Sequence, residues 1–213
     1  MKLDKKSMLL YAVTDRTWIN GKSLEREVEK ICKSGATFIQ LREKDITDEE
    51  FIAEARKIKS VTDKYKIPFV INDNIEVANA VNADGVHIGQ SDMEAKKARD
   101  ILGKDKIIGI SAGNLDEALA AEKNGADYIG VGAMFHTDTK QDATSVTFEE
   151  IKEITQRVHI PVVAIGGINK SNVLKLTGSG VDGIAVISAI FAENNVEEAT
   201  KNMLKLAQKM VEK

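Results

Sequence analysis

Apolar residues concentrate in eight short runs, at 8–13, 38–41, 69–71, 85–88, 107–110, 128–131, 162–165 and 183–187, most of them apolar at nearly every position. A strand of this kind buries both faces, as strands do in parallel sheets covered by helices. The stretches between the runs switch to helical spacing; Val28, Ile31 and Cys32, for example, share one face of a segment otherwise rich in Glu, Lys and Arg. Three of these stretches open with a short polar residue followed three positions later by glutamate: Thr47 with Glu50, Asn114 with Glu117, and Thr147 with Glu150. In that arrangement the first side chain caps a backbone N–H and the glutamate reaches back to cap another. Gly35, Gly103 and Gly125, and the segments before Pro68 and Pro161, mark helix ends.

Eight strands alternating with helices predict an α/β fold, a closed (β/α)8 TIM barrel spanning residues 1–213 as a single domain, with its active site at the C-terminal ends of the strands. At 213 residues the chain sits near the short end of that fold, about 200 residues, so its loops must be short. An open doubly wound sheet is the alternative, and Gly178, Gly180 and Gly183 form a literal G-x-G-x-x-G. A dinucleotide fingerprint, however, follows a strand and opens a helix. These glycines close a helix and precede a strand, and so read as a C-cap and turn.

Composition narrows the partners. A formal charge of -3 is spread along the chain with no basic block, which speaks against nucleic acid or an anionic membrane surface and makes any anion site a local one. Cys32 is the only cysteine, so there is no internal disulfide, and its apolar spacing reads as a buried filler. The charged N-terminus and the absence of an apolar run approaching about 18 residues predict a soluble, cytoplasmic protein.

In a parallel barrel, residues at the strand ends converge on one face even when far apart in sequence. The second strand runs into Gln40-Leu41-Arg42-Glu43-Lys44, where a period of two groups an amide with two cations. Asp73 and Asp92 follow the third and fourth strands, neighbours roughly 5 Å apart. Two carboxylates there suit Mg²⁺, which takes one or two carboxylates plus waters and phosphate oxygens. Singly, each also fits a helix cap, Asp73 with Glu76 and Ser91 with Glu94. Asn72 and Ser111 add small polar groups, and Gly109 leaves room for a ligand. The loop after the sixth strand carries His136, Thr137, Asp138, Thr139 and Lys140, and a lysine there can neutralise a departing phosphate oxygen. Gly166 and Gly167 after the seventh strand, and Ile187 and Ser188 after the eighth, fit a backbone phosphate site. Two anion sites on one face suit a reaction that joins two phosphorylated molecules. His87, within the fourth strand, reads as core or support, and His159 as a helix–strand join.

These motifs, with Y-A-V-T-D at Tyr11, I-N-D-N at Ile71, A-D-G-V-H-I-G-Q-S-D at Ala83, G-A-D-Y-I-G-V-G at Gly125, T-D-T-K at Thr137, V-A-I-G-G-I at Val163 and A-V-I-S-A-I at Ala185, resemble the thiamine phosphate synthase family over nearly the whole chain. The resemblance implies a transferase that condenses 4-amino-5-hydroxymethyl-2-methylpyrimidine diphosphate with hydroxyethylthiazole phosphate, giving thiamine phosphate and pyrophosphate. It assigns Gln40, Leu41, Arg42, Glu43, Lys44, Asn72, Ser111 and Lys140 to the pyrimidine diphosphate, with Arg42, Lys44, Ser111 and Lys140 catalytic. It assigns Asp73 and Asp92 to one Mg²⁺, and Thr137, Asp138, Thr139, Gly167, Ile187 and Ser188 to the thiazole phosphate. Homologous enzymes also suggest a homodimer. Ala133 and His136 stand where family loops commonly carry proline. A tautomerase or phosphosugar isomerase using His136, and a barrel that binds thiazole phosphate without turnover, are the rival readings. The first gives no reason to pair Asp73 with Asp92, and thiazole tautomerase-like barrels tend to lose the metal and cation motifs kept here; a product assay separates the second.

Overall fold

The computed structural model describes residues 3–19, 21–89, 95–137 and 145–212. Eight parallel strands close into a barrel in sequence order: β1 (Leu10–Val13), β2 (Phe38–Leu41), β3 (Phe69–Asn72), β4 (Gly85–Ile88), β5 (Ile107–Ala112), β6 (Tyr128–Val131), β7 (Val162–Ile165) and β8 (Gly183–Val186). Around it run α1 (Leu24–Lys33), α2 (Asp48–Tyr65), α3 (Ile75–Ala80), α4 (Ala95–Leu102), α5 (Leu115–Lys123), α6 (Phe148–Arg157), α7 (Ser188–Phe191) and α8 (Val196–Val211). No helix among the described residues is long and apolar enough to cross a membrane.

Alternation along each strand creates two apolar layers. Outward residues such as Ile39, Leu41, Ile71, Val86, Ile129 and Ile184 pack under the helices, together with Val28, Ile31 and Cys32 of α1. Burial pushes the Cys32 thiol up to about 12, which keeps it a protonated, inert filler. Inward residues form a separate core of Met8, Tyr11, Val13, Phe38, Val70, Ile107, Tyr128, Val163 and Ala185. Tyr11, Phe38 and Tyr128 meet edge-on or tilted, with ring centroids 4.6 to 5.9 Å apart, a geometry favoured by the ring quadrupoles.

The helix starts at Thr47 and Thr147 are full capping boxes. At Asn114 the box is altered: Asn114 caps the Glu117 N–H, but Glu117 reaches back to the N–H of Gly113. Three differences from the sequence reading have local causes. Residues 5–8 form a 3₁₀ turn capped by Asp4, so Met8 plugs the barrel floor from a turn and β1 starts at Leu10. The β7–β8 crossover carries only a 3₁₀ turn, Val173–Leu176, because Gly178 and Gly180 adopt positive φ close behind it. Ile187 leaves strand geometry, and β8 ends at Val186.

A recurring stitch closes the floor. Thr37, Asp84, Asp127 and Asp182 each stand one residue ahead of an even-numbered strand, and each side chain accepts from a backbone N–H of the preceding odd strand: Leu10 at 2.8 Å, Phe69 at 2.9 Å, Ile108 at 2.8 Å and Val162 at 2.9 Å. The stitching residue's own N–H donates to the carbonyl of that same partner. Donors that the sheet ladder leaves open at its bottom edge are thereby satisfied.

Candidate active site

At the opposite end, the barrel interior turns polar. Gln40 is buried and donates its amide N–H to the Tyr11 hydroxyl. The Tyr11 hydroxyl lies 2.8 Å from that of Tyr128, which lies 2.9 Å from His87 Nδ1, and His87 Nε2 lies 3.0 Å from Ser111 Oγ. Gln40 enters as the donor, so the Tyr11 hydroxyl oxygen accepts at that link. This series ties β2, β1, β6, β4 and β5 together. Burial holds both tyrosine hydroxyls well above their ordinary pKa, so they act as neutral links. It also leaves the Gln40 side-chain oxygen, Oε1, as an acceptor for a ligand.

Sequence reasoning singled out Gln40 and Ser111 but missed Tyr11 and Tyr128 as site components, and placed His87 only as support. The available signal was Gly109, read as room for a ligand. That room is already filled: a Cβ at Gly109 would lie 2.1 Å from the Tyr128 ring, and the two residues are register partners across β5 and β6. A glycine facing an aromatic across a parallel pair indicates a large side chain lying over it.

Beyond β2 the chain turns out of the sheet. Leu41 is fully buried in the layer beneath the helices, so its side chain is turned away from the mouth and only its backbone can meet a ligand. Arg42 and Lys44 line a cleft of about 350 Å³ with Asp15, Arg16, Thr17, Trp18, Glu43 and Asp45. The Glu43 carboxylate is turned to Arg16, which grips it with two hydrogen bonds of 3.0 and 2.8 Å.

At the end of β3, Asn72 donates to the Asp73 carboxylate at 2.6 Å. Asp73 has a φ of 60°, a left-handed conformation that aspartate tolerates better than most residues. The cap reading of Asp73 does not hold, because Asn74 caps α3 by accepting from Val77 at 2.8 Å. Asp73 is thereby left as an exposed carboxylate at the mouth, a donor type that suits Mg²⁺. Asp92, Ser91, Asp138, Thr139 and Lys140 lie outside the described residues.

Thr137, in the loop after β6, is half-buried. This loop is bound to the β7 end by hydrogen bonds from Met134 to Ile165 and from Phe135 to Gly166. Gly167, at φ +66°, lies so close that a Cβ would sit 2.3 Å from the His136 carbonyl oxygen. Asn172 and Asn169 both donate to the Gly167 carbonyl. Ser188 is exposed and opens α7, a single turn whose preceding residue, Ile187, makes no side-chain cap. An anion here must therefore rely on individual backbone donors more than on a helix dipole.

Residues 10–190 match the family model described as thiamine monophosphate synthase. The chain belongs to this family. It is 53% identical over 194 residues to a thiamine-phosphate synthase of Clostridium botulinum (strain Eklund 17B / Type B), covering 91% of each chain. It is 51% identical over 200 residues to that of Clostridium acetobutylicum, covering 94% of this chain and 95% of the relative. A solved thiamine phosphate pyrophosphorylase from Pyrococcus furiosus superposes with a TM-score of 0.90 at 39% identity, over 98% of this chain and 99% of that one. Membership of the thiamine monophosphate synthase family gives the polar barrel mouth a substrate context.

Proposed function

We infer that this protein is a thiamine-phosphate synthase, a transferase that joins 4-amino-5-hydroxymethyl-2-methylpyrimidine diphosphate to hydroxyethylthiazole phosphate and releases pyrophosphate. The observation that carries this reading is that synthases share half of its residues across more than nine-tenths of both chains. The geometry supports it. Gln40, held by Tyr11, presents a fixed carbonyl acceptor to an aminopyrimidine, while Arg42 and Lys44 approach from the cleft beside it.

In this reading the pyrimidine's C–O bond to the diphosphate breaks and the thiazole nitrogen supplies the electron pair for the new C–N bond. No side chain needs to act as a nucleophile. Arg42, Lys44 and Lys140 stabilise charge growing on the departing oxygen, and the hydrogen-bonded barrel interior orients the ring. Asp73 and Asp92 would hold one Mg²⁺, which supplies Lewis-acid neutralisation of the diphosphate when bound. Thr137, Asp138, Thr139, Gly167, Ile187 and Ser188 would take the thiazole phosphate.

Mixing the purified protein with both substrates and Mg²⁺, and measuring pyrophosphate and thiamine phosphate, tests the function. Product should appear and should vanish with chelator. An isomerase or a non-enzymatic binder would release no pyrophosphate. Asp73→Ala should lose most turnover while keeping its fold, an order-of-magnitude cost of several kcal/mol in transition-state stabilisation. Full activity in chelator would remove the metal from the mechanism.

A further inference from the structure

Three successive residues after β1 engage the segment that carries the cleft's cations. Thr14 Oγ1 accepts from the Arg42 N–H at 3.0 Å, and the Thr14 N–H donates to the Gln40 carbonyl at 2.9 Å. Asp15 Oδ2 lies 4.0 Å from the Arg42 guanidinium, both side chains being largely buried. Arg16 then grips both oxygens of Glu43 through Nε and a terminal nitrogen. The burial of that last pair is lopsided: the Glu43 side chain is 1% exposed and the Arg16 side chain 51%.

We propose that Arg16 is a positioning residue for the diphosphate, acting through Glu43. This rests on the synthase reading of the same mouth. Glu43 lies between the two cations, Arg42 and Lys44, on a segment that has already left the sheet. No ladder hydrogen bond fixes it there, so its conformation depends on side chains. A carboxylate loose in this cleft would also repel a diphosphate. The Arg16 fork corrects both faults at once: it draws the Glu43 charge aside into a paired, buried state, and it pins the backbone so that Arg42 and Lys44 face the cleft. Bidentate pairing carries that geometric constraint, which a single-point ammonium lacks.

The sign of one substitution separates positioning from charge. On charge alone, Glu43→Gln removes an anion near a polyanion and should tighten diphosphate binding. Positioning through the clamp requires Glu43→Gln to weaken it. We expect Arg16→Gln, Arg16→Lys and Glu43→Gln each to raise the KM for the pyrimidine diphosphate by about tenfold, below the roughly hundredfold that a misplacement of about 1 Å costs, with the KM for the thiazole phosphate unchanged. The Arg16→Gln, Glu43→Gln double variant should cost no more than either single change, because both break one interaction.

Calorimetric titration with inorganic pyrophosphate and Mg²⁺ should show the same ranking, independently of turnover. Trp18, the sole tryptophan, lines the same cleft and should change its emission in all three single variants. Equal or tighter diphosphate binding by Glu43→Gln would overturn the proposal, as would wild-type binding by Arg16→Lys or additive costs in the double variant. If the wild type binds pyrophosphate but makes no thiamine phosphate, the synthase reading fails, and the titrations alone decide the clamp. Should Arg16→Gln not fold, Arg16→Lys and Glu43→Gln carry the comparison.

Discussion

Gly167 shows how much one missing side chain can hold in place. The sequence reading gave it a single duty, to let backbone donors approach the thiazole phosphate. Its contacts add a second, since the β6 loop rests against it, with the carbonyl oxygens of Phe135 and His136 where a Cβ would be. Gly167→Ala should therefore raise the KM for thiazole phosphate and also lower kcat, by displacing the loop that leads to Lys140. A shift of about 1 Å is enough for losses near a hundredfold. Steady-state kinetics with each substrate varied in turn will distinguish this from a defect confined to the thiazole phosphate, in which kcat stays at the wild-type value.

Among the elements, the floor stitches are the least legible part of the sequence. Asp84, Asp127 and Asp182 look like ordinary turn residues before a strand, and only the barrel brings each beside the open N–H of its neighbour. Strand positions and capping boxes, by contrast, were legible because they depend on residues close together in the chain, as with Thr47 and Glu50. The β7–β8 crossover was misread because its helical spacing says nothing about how little chain the following glycines leave to wind. Asp127→Ala should strand the Ile108 N–H and release Arg99, whose guanidinium now lies 2.6 Å from the carboxylate. A destabilisation of about 1–3 kcal/mol is expected. Urea denaturation should register it, with kcat per folded molecule unchanged because the floor is remote from the mouth.

Across the whole molecule, the barrel's polar centre couples stability to pH. Tyr11 ionises ordinarily near 10 and is held above that value, chiefly by burial. Above pH 10 the unfolded chain therefore loses a proton that the folded chain retains, so stability is intact below that pH and falls as pH rises beyond it. Absorbance at the phenolate band should show Tyr11 and Tyr128 ionising together with unfolding, not before it. Tyr128→Phe should leave Tyr11 and His87 each short of a partner, a loss of about 1–3 kcal/mol, and should lower the urea midpoint. The cation and amide motifs of this site were legible because strand ends must converge in a barrel. The tyrosines were not, because their hydroxyls acquire a role only when five strands bring them within reach of one another.

The floor stitches also bear on the order of assembly. They fasten β1 to β2, β3 to β4, β5 to β6 and β7 to β8, joining residues 27, 15, 19 and 20 positions apart. Barrel closure instead pairs Leu10 with Ile184, from opposite ends of the chain. Short loops are the cheaper ones to close, so three of the fastened pairs can form during synthesis before the last strand exists, and the fourth forms with that strand as it completes the ring. The amides of Leu10, Phe69, Ile108 and Val162 would then gain protection from hydrogen exchange early in refolding, ahead of those on the β1–β8 seam. A barrel built this way is a ring of four units, each made coherent by one side chain at its base.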